Sequence, residues 1–284
     1  EIKGTLNVGS TVFHNLGHIT GNGRIILEPT SEGMYVFPGG EYDDFLLSSS
    51  SVIEFSGNID ATLPLKPGNY YKPYSNVEFT GSGVKYISAD NMRVRGNLMI
   101  ANGTVLNNTL YNKNISILGN WIDYNITIDG FEAGAGCVIF EGTLSQQIIS
   151  SKRELFYDLK INNSNGVIIS GNGDIEITHY LYLTRGNISS NTNPQREVYI
   201  SNTYAYAVVG GSSLSFITCP LNKNIISGQS FTFPVGDGTR YGMFSLLNTS
   251  VSSSPQYWKV KYINQNPNPT YPTDSINLAP PITI

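Results

Sequence analysis

A short strand pattern that keeps returning constrains this chain more than any other feature. An apolar residue, any residue, phenylalanine, any residue and glycine follow one another at Ile53–Gly57, Val77–Gly81 and Val138–Gly142. A longer stretch, Tyr74–Ser88, comes back in altered form as Phe156–Ser170. Each copy has an aromatic residue, an apolar-x-apolar strand, a small polar turn and a second apolar strand ending in serine. Recurrence of one strand–turn–strand unit is the signature of a repeat architecture, in which each unit pairs with the units on both sides.

Composition agrees with many short strands joined by tight turns. Only 13% of the 284 residues are charged, about half the roughly 25% of an ordinary soluble domain, so little of the surface is salt-bridged helix. Glycine, serine, asparagine and threonine fill the gap, alongside 18 tyrosines and 12 phenylalanines. Asn and Gly tolerate positive φ at turns, while Tyr, Phe, Val and Ile suit a pleated surface. The chain reads as all-β. A net charge of −4 and a pI near 5.4 argue against nucleic acid, which needs a basic face. No apolar stretch approaches the roughly 18 residues of a transmembrane segment.

Strand centres fall near Ile53, Glu78, Leu98, Ile117, Ile139, Lys160, Tyr182 and Tyr199, about 20 residues apart with no helical pattern between them. This predicts a parallel β-helix (β-solenoid) of about 20-residue coils over residues 1–203, with two or three short strands per coil. Alternation turns Val77, Phe79, Leu159, Ile161, Leu181 and Leu183 into the lumen and leaves Glu78, Lys160 and Tyr182 facing solvent. About ten coils at roughly 4.8 Å would make a rod of about 50 Å.

Two stretches interrupt the spacing. Residues 58–73 contain Pro64 and Pro67, which cannot sit in a central strand. Ile188–Glu197 is a long turn around Pro194. Both are expected to project as loops, and loops are where contacts concentrate. Tyr70, Tyr71, Tyr74 and Pro194 are therefore the candidate contact residues. After residue 203 the texture changes, and residues 204–284 read as a smaller antiparallel β capping module over the open end of the stack. Within it Gln256–Ile263 alternates like a half-buried antiparallel strand. The chain starts with Glu and closes on Ala279–Ile284, which reads as the beginning of another strand, so a piece of a longer protein is expected.

The apolar-x-Phe-x-Gly strands, the aromatic-led copies at 74–88 and 156–170, Phe233–Tyr241 and the strand Trp258–Pro267 together carry a family likeness. They resemble the repetitive β-helical regions of large Bacteroidota surface proteins exported by the type IX secretion system, many of them gliding or adhesion proteins. The resemblance covers nearly the whole chain as texture and motif. It implies an extracellular or cell-surface location, partners among secretion and outer-membrane components or surface glycans, and no cofactor. It brings no catalytic residues with it.

Constellations that would carry chemistry have plainer readings. Cys137 and Cys219 lie 82 residues apart, the offset between the two long copies. Four coils would separate them by roughly 19 Å, beyond the roughly 7 Å limit between disulfide α-carbons, so two free thiols are expected. His14 and His18 have the spacing of ligands on a helix, but Gly17 and the flanking strands argue against a helix there. His179 falls in a predicted strand without a Ser or Cys signature. Gly21–Gly23 and Gly171–Gly173 are turns without a following helix, and Asp237–Arg240 is a tight turn with an Asp–Arg contact rather than a calcium loop. Asn102, Asn114, Asn125 and Asn187 head Asn-x-Ser/Thr triplets that read as turn chemistry, not glycosylation sites.

Parallel β-helices also serve as polysaccharide lyases and hydrolases. A glycosidase needs two carboxylates about 5–10 Å apart beside a groove, which in a solenoid means matched positions on adjacent coils. Asp158 and Glu176 do not share a column, Asp43 and Asp44 are neighbours that point apart, and no acid-rich coil lined by Arg or Lys stands out. The expected function is a non-enzymatic exported stalk or adhesin-like protein with no catalytic, cofactor or metal residues. A carbohydrate-active β-helix enzyme is the alternative. Tyr71, Tyr74, Tyr180 and Tyr182 are tyrosines that could stack on sugars.

Overall fold

The computed structural model describes residues 1–10, 17–64, 73–250 and 255–264. The chain forms the expected all-β parallel solenoid, in about nine turns of ~23 residues, with antiparallel strands in a smaller sheet near the C-terminus. Each full turn carries three short strands, one on each face. The first face is a nine-stranded parallel sheet running from Thr5–Gly9 and Arg24–Leu27 through Val52–Phe55, Asn76–Phe79, Leu98–Ile100, Trp121–Asp123, Gln146–Ser150 and Val167–Gly171 to Ile188–Ser190. Ala61–Thr62, Gly83–Tyr86, Thr104–Asn107 and Phe131–Glu132 make the second face. In later turns that place is taken by Glu154–Phe156, Ile175–Ile177, Val198–Ile200 and Leu221–Ile225. The third face runs from Met92–Val94 through Ile115–Ile117, Cys137–Phe140, Asp158–Asn162 and Leu181–Arg185 to Val208–Gly210.

Turns are longer than expected because the predicted strand centres slip between faces. Leu98 lies on the first face but Ile117 on the third, and Tyr182 lies on the third but Tyr199 on the second. Each slip shortens the apparent repeat. The two long copies slip in the same way: Val77 pairs with Leu98 on the first face, whereas Leu159 pairs with Leu181 on the third. Among the Phe-Gly strands, Ile53 and Phe55 pair with Val77 and Phe79, while Val138–Phe140 belongs to the third face. The motif marks a strand leading into a corner, and more than one face accepts it.

Alternation places the core as expected. Val77, Phe79, Leu159, Ile161, Leu181 and Leu183 are buried, and their strand neighbours Glu78, Lys160 and Tyr182 are part-exposed on the outside. Aromatic rings stack coil on coil, Phe55 on Phe79 with centroids 5.7 Å apart and planes 14° apart. Trp121 packs edge-on against Phe131 and Phe156, one from each neighbouring second-face strand. At the N-terminal end a five-residue helix, Asp43–Leu47, covers the core with Phe45 and Leu46. No strand pattern foretold it.

Corners are held by asparagine. Asn76 Oδ1 accepts the Asn97 backbone N–H at 2.9 Å, Asn97 accepts that of Asn120 at 2.8 Å, and Asn120 accepts that of Gln147 at 2.8 Å. A parallel row runs from Asn91 through Asn114 to the Cys137 N–H. These side chains satisfy backbone donors that a bent strand leaves unpaired. Four asparagines of Asn-x-Ser/Thr triplets act in this way: Asn102, Asn114, Asn125 and Asn187 accept the N–H groups of Ile126, Cys137, Gly103 and Phe216. Glycine is needed where corners touch. At Gly186, with φ +83°, an added Cβ would lie 1.7 Å from the carbonyl oxygen of Asn163 on the coil before.

Parallel pairing continues beyond residue 203, with Val198–Ile200 pairing with Leu221–Lys223 and Leu181–Leu183 with Val208–Gly210. Antiparallel pairing then takes over, between Leu221–Ile225 and Gln256–Val260 and between Phe231–Phe233 and Phe244–Leu246. Gln256–Val260 is antiparallel as expected but not half-buried, since Tyr257 and Trp258 on its opposite faces are 47% and 37% exposed. It is the edge of its sheet, so no described strand covers its far side. Among the described residues no helix is long and apolar enough to cross a membrane.

Candidate functional site

Coil geometry builds three groups of side chains with chemistry to offer. The first is a buried acid pair. Alternation along Trp121–Asp123 turns both end residues inward, and the Asp123 position pairs with Ile100 on one coil and Ser150 on the next. Glu154 opens a second-face strand at a position filled by Ile175, Val198 and Leu221 in later coils. Both carboxyls therefore point inward at one corner, Glu154 in an apolar column, 3% and 4% exposed and in hydrogen-bonding contact with each other. Burial raises Glu154 well above the ordinary carboxylate range, and the neighbouring Asp123 raises it further. Burial also raises Asp123, against the backbone N–H and side-chain amide of Asn125, which both donate to its Oδ1 at 2.8 Å. Two carboxyls so placed hold one proton between them.

A proton held near neutrality suits general-acid chemistry. Access decides against it. The dent beside the pair, bordered by Asp129, Phe131, Lys152 and Arg153, has room for about one water molecule. Lys152 closes part of it through a 2.6 Å ion pair with Asp129.

The second group lies on the outside of the first face. Glu54 and Glu78 pair directly on adjacent coils, and Arg24 donates to both at 2.6 Å, with a second bond to Glu78 at 3.0 Å. This overturns the expectation that no acid-rich, Arg-lined coil exists. The signal was present in Ile53-Glu54-Phe55 and Val77-Glu78-Phe79, since the same motif on the same face puts the glutamates in one column. Both carboxylates are committed to the guanidinium, and Thr80 Oγ1 adds a bond to Glu54 at 2.7 Å. Arg24 offsets one of the two negative charges, and hydrogen bonds occupy both carboxylates on the sheet face.

The third group is a strip of rings at the corner between the second and third faces. Tyr157 stacks on His179 at 4.4 Å with planes 28° apart, His179 lies 4.0 Å from Tyr180, and Tyr180 lies 6.0 Å from Tyr182. Asp158 Oδ1 fixes the strip from beneath, 2.8 Å from His179 Nδ1 and accepting the Tyr180 N–H at 2.8 Å. The three tyrosines and His179 are all part-exposed. On the next coil Tyr204 and Tyr206, 6.1 Å apart, are 54% and 68% exposed. His179 stands in the bend after Ile175–Ile177, not in a strand as expected.

Of the candidate contact residues, Tyr70 and Tyr71 lie outside the described residues. Tyr74 is corrected: it is 2% exposed, its ring packed near Phe37 and Phe55, because an aromatic preceding a strand turns inward at the corner. Pro194 is exposed, in a turn anchored by Thr192 Oγ1 donating to its carbonyl at 2.8 Å and by Arg196 donating to the Asn172 carbonyl at 2.9 Å. Neither expected projection is all loop, since Ala61 and Leu63 belong to the core and Ile188–Ser190 is a first-face strand.

The remaining candidates stand apart from one another. His18 pairs with Asp44 at 2.9 Å, and His14 is outside the described residues. Among the described residues no three His, Cys, Asp or Glu side chains gather as a metal site would require. Asp237 makes the expected tight turn, but its Oδ1 accepts the backbone N–H groups of Thr239 and Arg240 rather than the guanidinium. These bonds lower its carboxyl to about 2. Cys137 and Cys219 are free. No protein-family model matches the chain, and neither curated proteins nor solved structures give a match to it.

Proposed function

We propose that this chain is a non-enzymatic structural segment of an exported surface protein, a rigid spacer that displays what it carries. The observation that supports this reading is how the ionisable groups of the described faces are used. Glu54 and Glu78 are both bound by Arg24, and Asp123 and Glu154 are closed off behind Phe131 and Lys152. The dent beside Asp123 and Glu154 holds about one water molecule and not a sugar ring. About nine coils at roughly 4.8 Å give a rod of about 43 Å. Each coil is locked to the next by backbone ladders and asparagine rows, so the rod resists bending. The resemblance to type IX secretion substrates of Bacteroidota adds the proposed location, the cell surface.

Incubating the purified chain with plant, algal and bacterial polysaccharides tests the enzymatic side, with no new reducing ends or unsaturated products expected. Turnover that disappears in Glu54→Gln or Glu78→Gln would replace this reading with the carbohydrate-active one. Antibody labelling of intact cells tests the location. Signal seen only after lysis would reject surface display.

A further inference from the structure

We infer that the ring strip Tyr157, His179, Tyr180 and Tyr182, continued by Tyr204 and Tyr206 on the following coil, is a binding platform for a neutral, extended polysaccharide chain. Three features select that occupant. First, the strip is built of rings with polar edges. Aromatic faces of this kind suit the C–H faces of sugars, while the tyrosine hydroxyls and the imidazole edge offer hydrogen bonds to sugar hydroxyls.

Second, the His179 ring, the backbone that carries it and Tyr180, and through stacking the Tyr157 ring are held in place before any ligand arrives. Asp158 binds the His179 ring and the Tyr180 backbone, and the Asn202 side-chain amide donates to the His179 carbonyl at 2.8 Å. Little side-chain entropy is lost on binding to such a surface. Third, the platform repeats along the solenoid axis with the coil spacing of roughly 4.8 Å, comparable to the advance per ring of an extended glycan. A polymer with a regular repeat can therefore meet rings on three successive coils.

Local charge points to a neutral polymer. Asp158 is engaged with His179, Lys160 lies beside Tyr182 in register, and Arg93, farther along the same column, is paired with Glu141. A nucleic acid strand would need more positive charge than this to hold its phosphates.

The inference rests on the reading of the rod as a display scaffold, and one experiment separates the two. Cellohexaose and chitohexaose are titrated into the intact chain by calorimetry, and the sugar is recovered afterwards. Binding at millimolar or lower concentration is expected for at least one of them. Tyr180→Ala and Tyr182→Ala should each weaken it about threefold to tenfold, and Tyr124→Ala, exposed at the corner between the first and second faces, should not. Urea unfolding of each variant checks that the coil stays folded. Absence of binding by both sugars, or binding that ignores Tyr180 and Tyr182, overturns the platform. Binding with shortened sugar recovered keeps the platform and overturns the non-enzymatic reading.

Discussion

Replacing Glu154 by Gln should make the protein more stable at neutral pH than the parent chain. Glu154 occupies an inward position in a column of isoleucine, valine and leucine, with Asp123 as its neighbour. Its folded-state carboxyl is raised well above the ordinary value of 4.5, first by burial and then by Asp123. Below pH 4.5 the group is protonated whether the chain is folded or not, and it costs nothing. As pH rises past 4.5 the unfolded chain releases this proton while the folded chain keeps it. The folded state then binds more protons, so stability falls with rising pH until the folded carboxyl itself ionises.

Every pH unit that separates the folded from the unfolded carboxyl is worth about 1.4 kcal/mol. The parent should therefore lose more stability than Glu154→Gln between about pH 4 and pH 8, in proportion to that separation. Glutamine fills the same volume and donates an N–H to Asp123 without titrating. Urea midpoints followed by tryptophan fluorescence read the difference, because Trp121 lies beside the pair. Titration of carboxylates remote from the pair cancels between the two proteins. Asp123→Asn should flatten the same profile, and the double variant should gain less than the sum of the singles because the groups share one proton. Parallel profiles for parent and Glu154→Gln would refute the buried pair.

Gly186→Ala should cost more than about 2 kcal/mol, since it adds a left-handed backbone penalty of about 1–2 kcal/mol to a 1.7 Å clash with the Asn163 carbonyl. Gly103→Ala, with φ +89° and open space around it, should pay only the backbone part, and chemical denaturation distinguishes the two. Burial pushes both thiols up to about 12, so neither Cys137 nor Cys219 should react promptly with Ellman's reagent at pH 8 until denaturant is added. Burial lowers Lys85 and Lys223 to about 8, below their unfolded value of 10.5. The unfolded chain then binds more lysine protons between those values, so the two lysines add stability as pH rises from about 8, and the raised thiols oppose them above about pH 9. Lys85→Met should remove about half of the rise between pH 8 and 9, measured by urea unfolding.

The fold class was legible because it depends on local rules that every coil repeats. Apolar-x-apolar strands, asparagine-rich turns and the absence of helical spacing each point to stacked strands, and each could be read around Ile53, Val77 or Leu159. The inward residues Val77, Phe79, Leu159, Ile161, Leu181 and Leu183 followed from alternation within one strand. The five-residue helix Asp43–Leu47 was not legible, because it depends on the burial of Phe45 and Leu46 against the core and not on any strand periodicity. Tyr74 was misplaced for a related reason. A tyrosine next to a proline-rich interruption reads as surface, yet its ring fills the space between Phe37 and Phe55 on neighbouring turns.

What stayed hidden was the pairing of faces, and the candidate sites depend on it. All three faces obey one alternation rule, so the strands can be counted without knowing which face each occupies. An error of one face leaves every apolar residue inside and changes only which polar residues meet. Asp123 comes from the first face and Glu154 from the second, and they meet only because the corner between those faces closes on both. Lys85 and Lys223 make the same point. Each sits at an inward position, paired with Ala61 or Ile200, and sends its ammonium group to corner carbonyls, Gly57 and Ser82 for Lys85 and Asn202 and Asn224 for Lys223. A polar residue in a strand pattern ordinarily reads as solvent-facing. In this solenoid an inward ionisable group is tolerated where a corner supplies its partner, so the chemistry that departs from the repeat gathers at corners, as the ring strip from Tyr157 to Tyr182 also does.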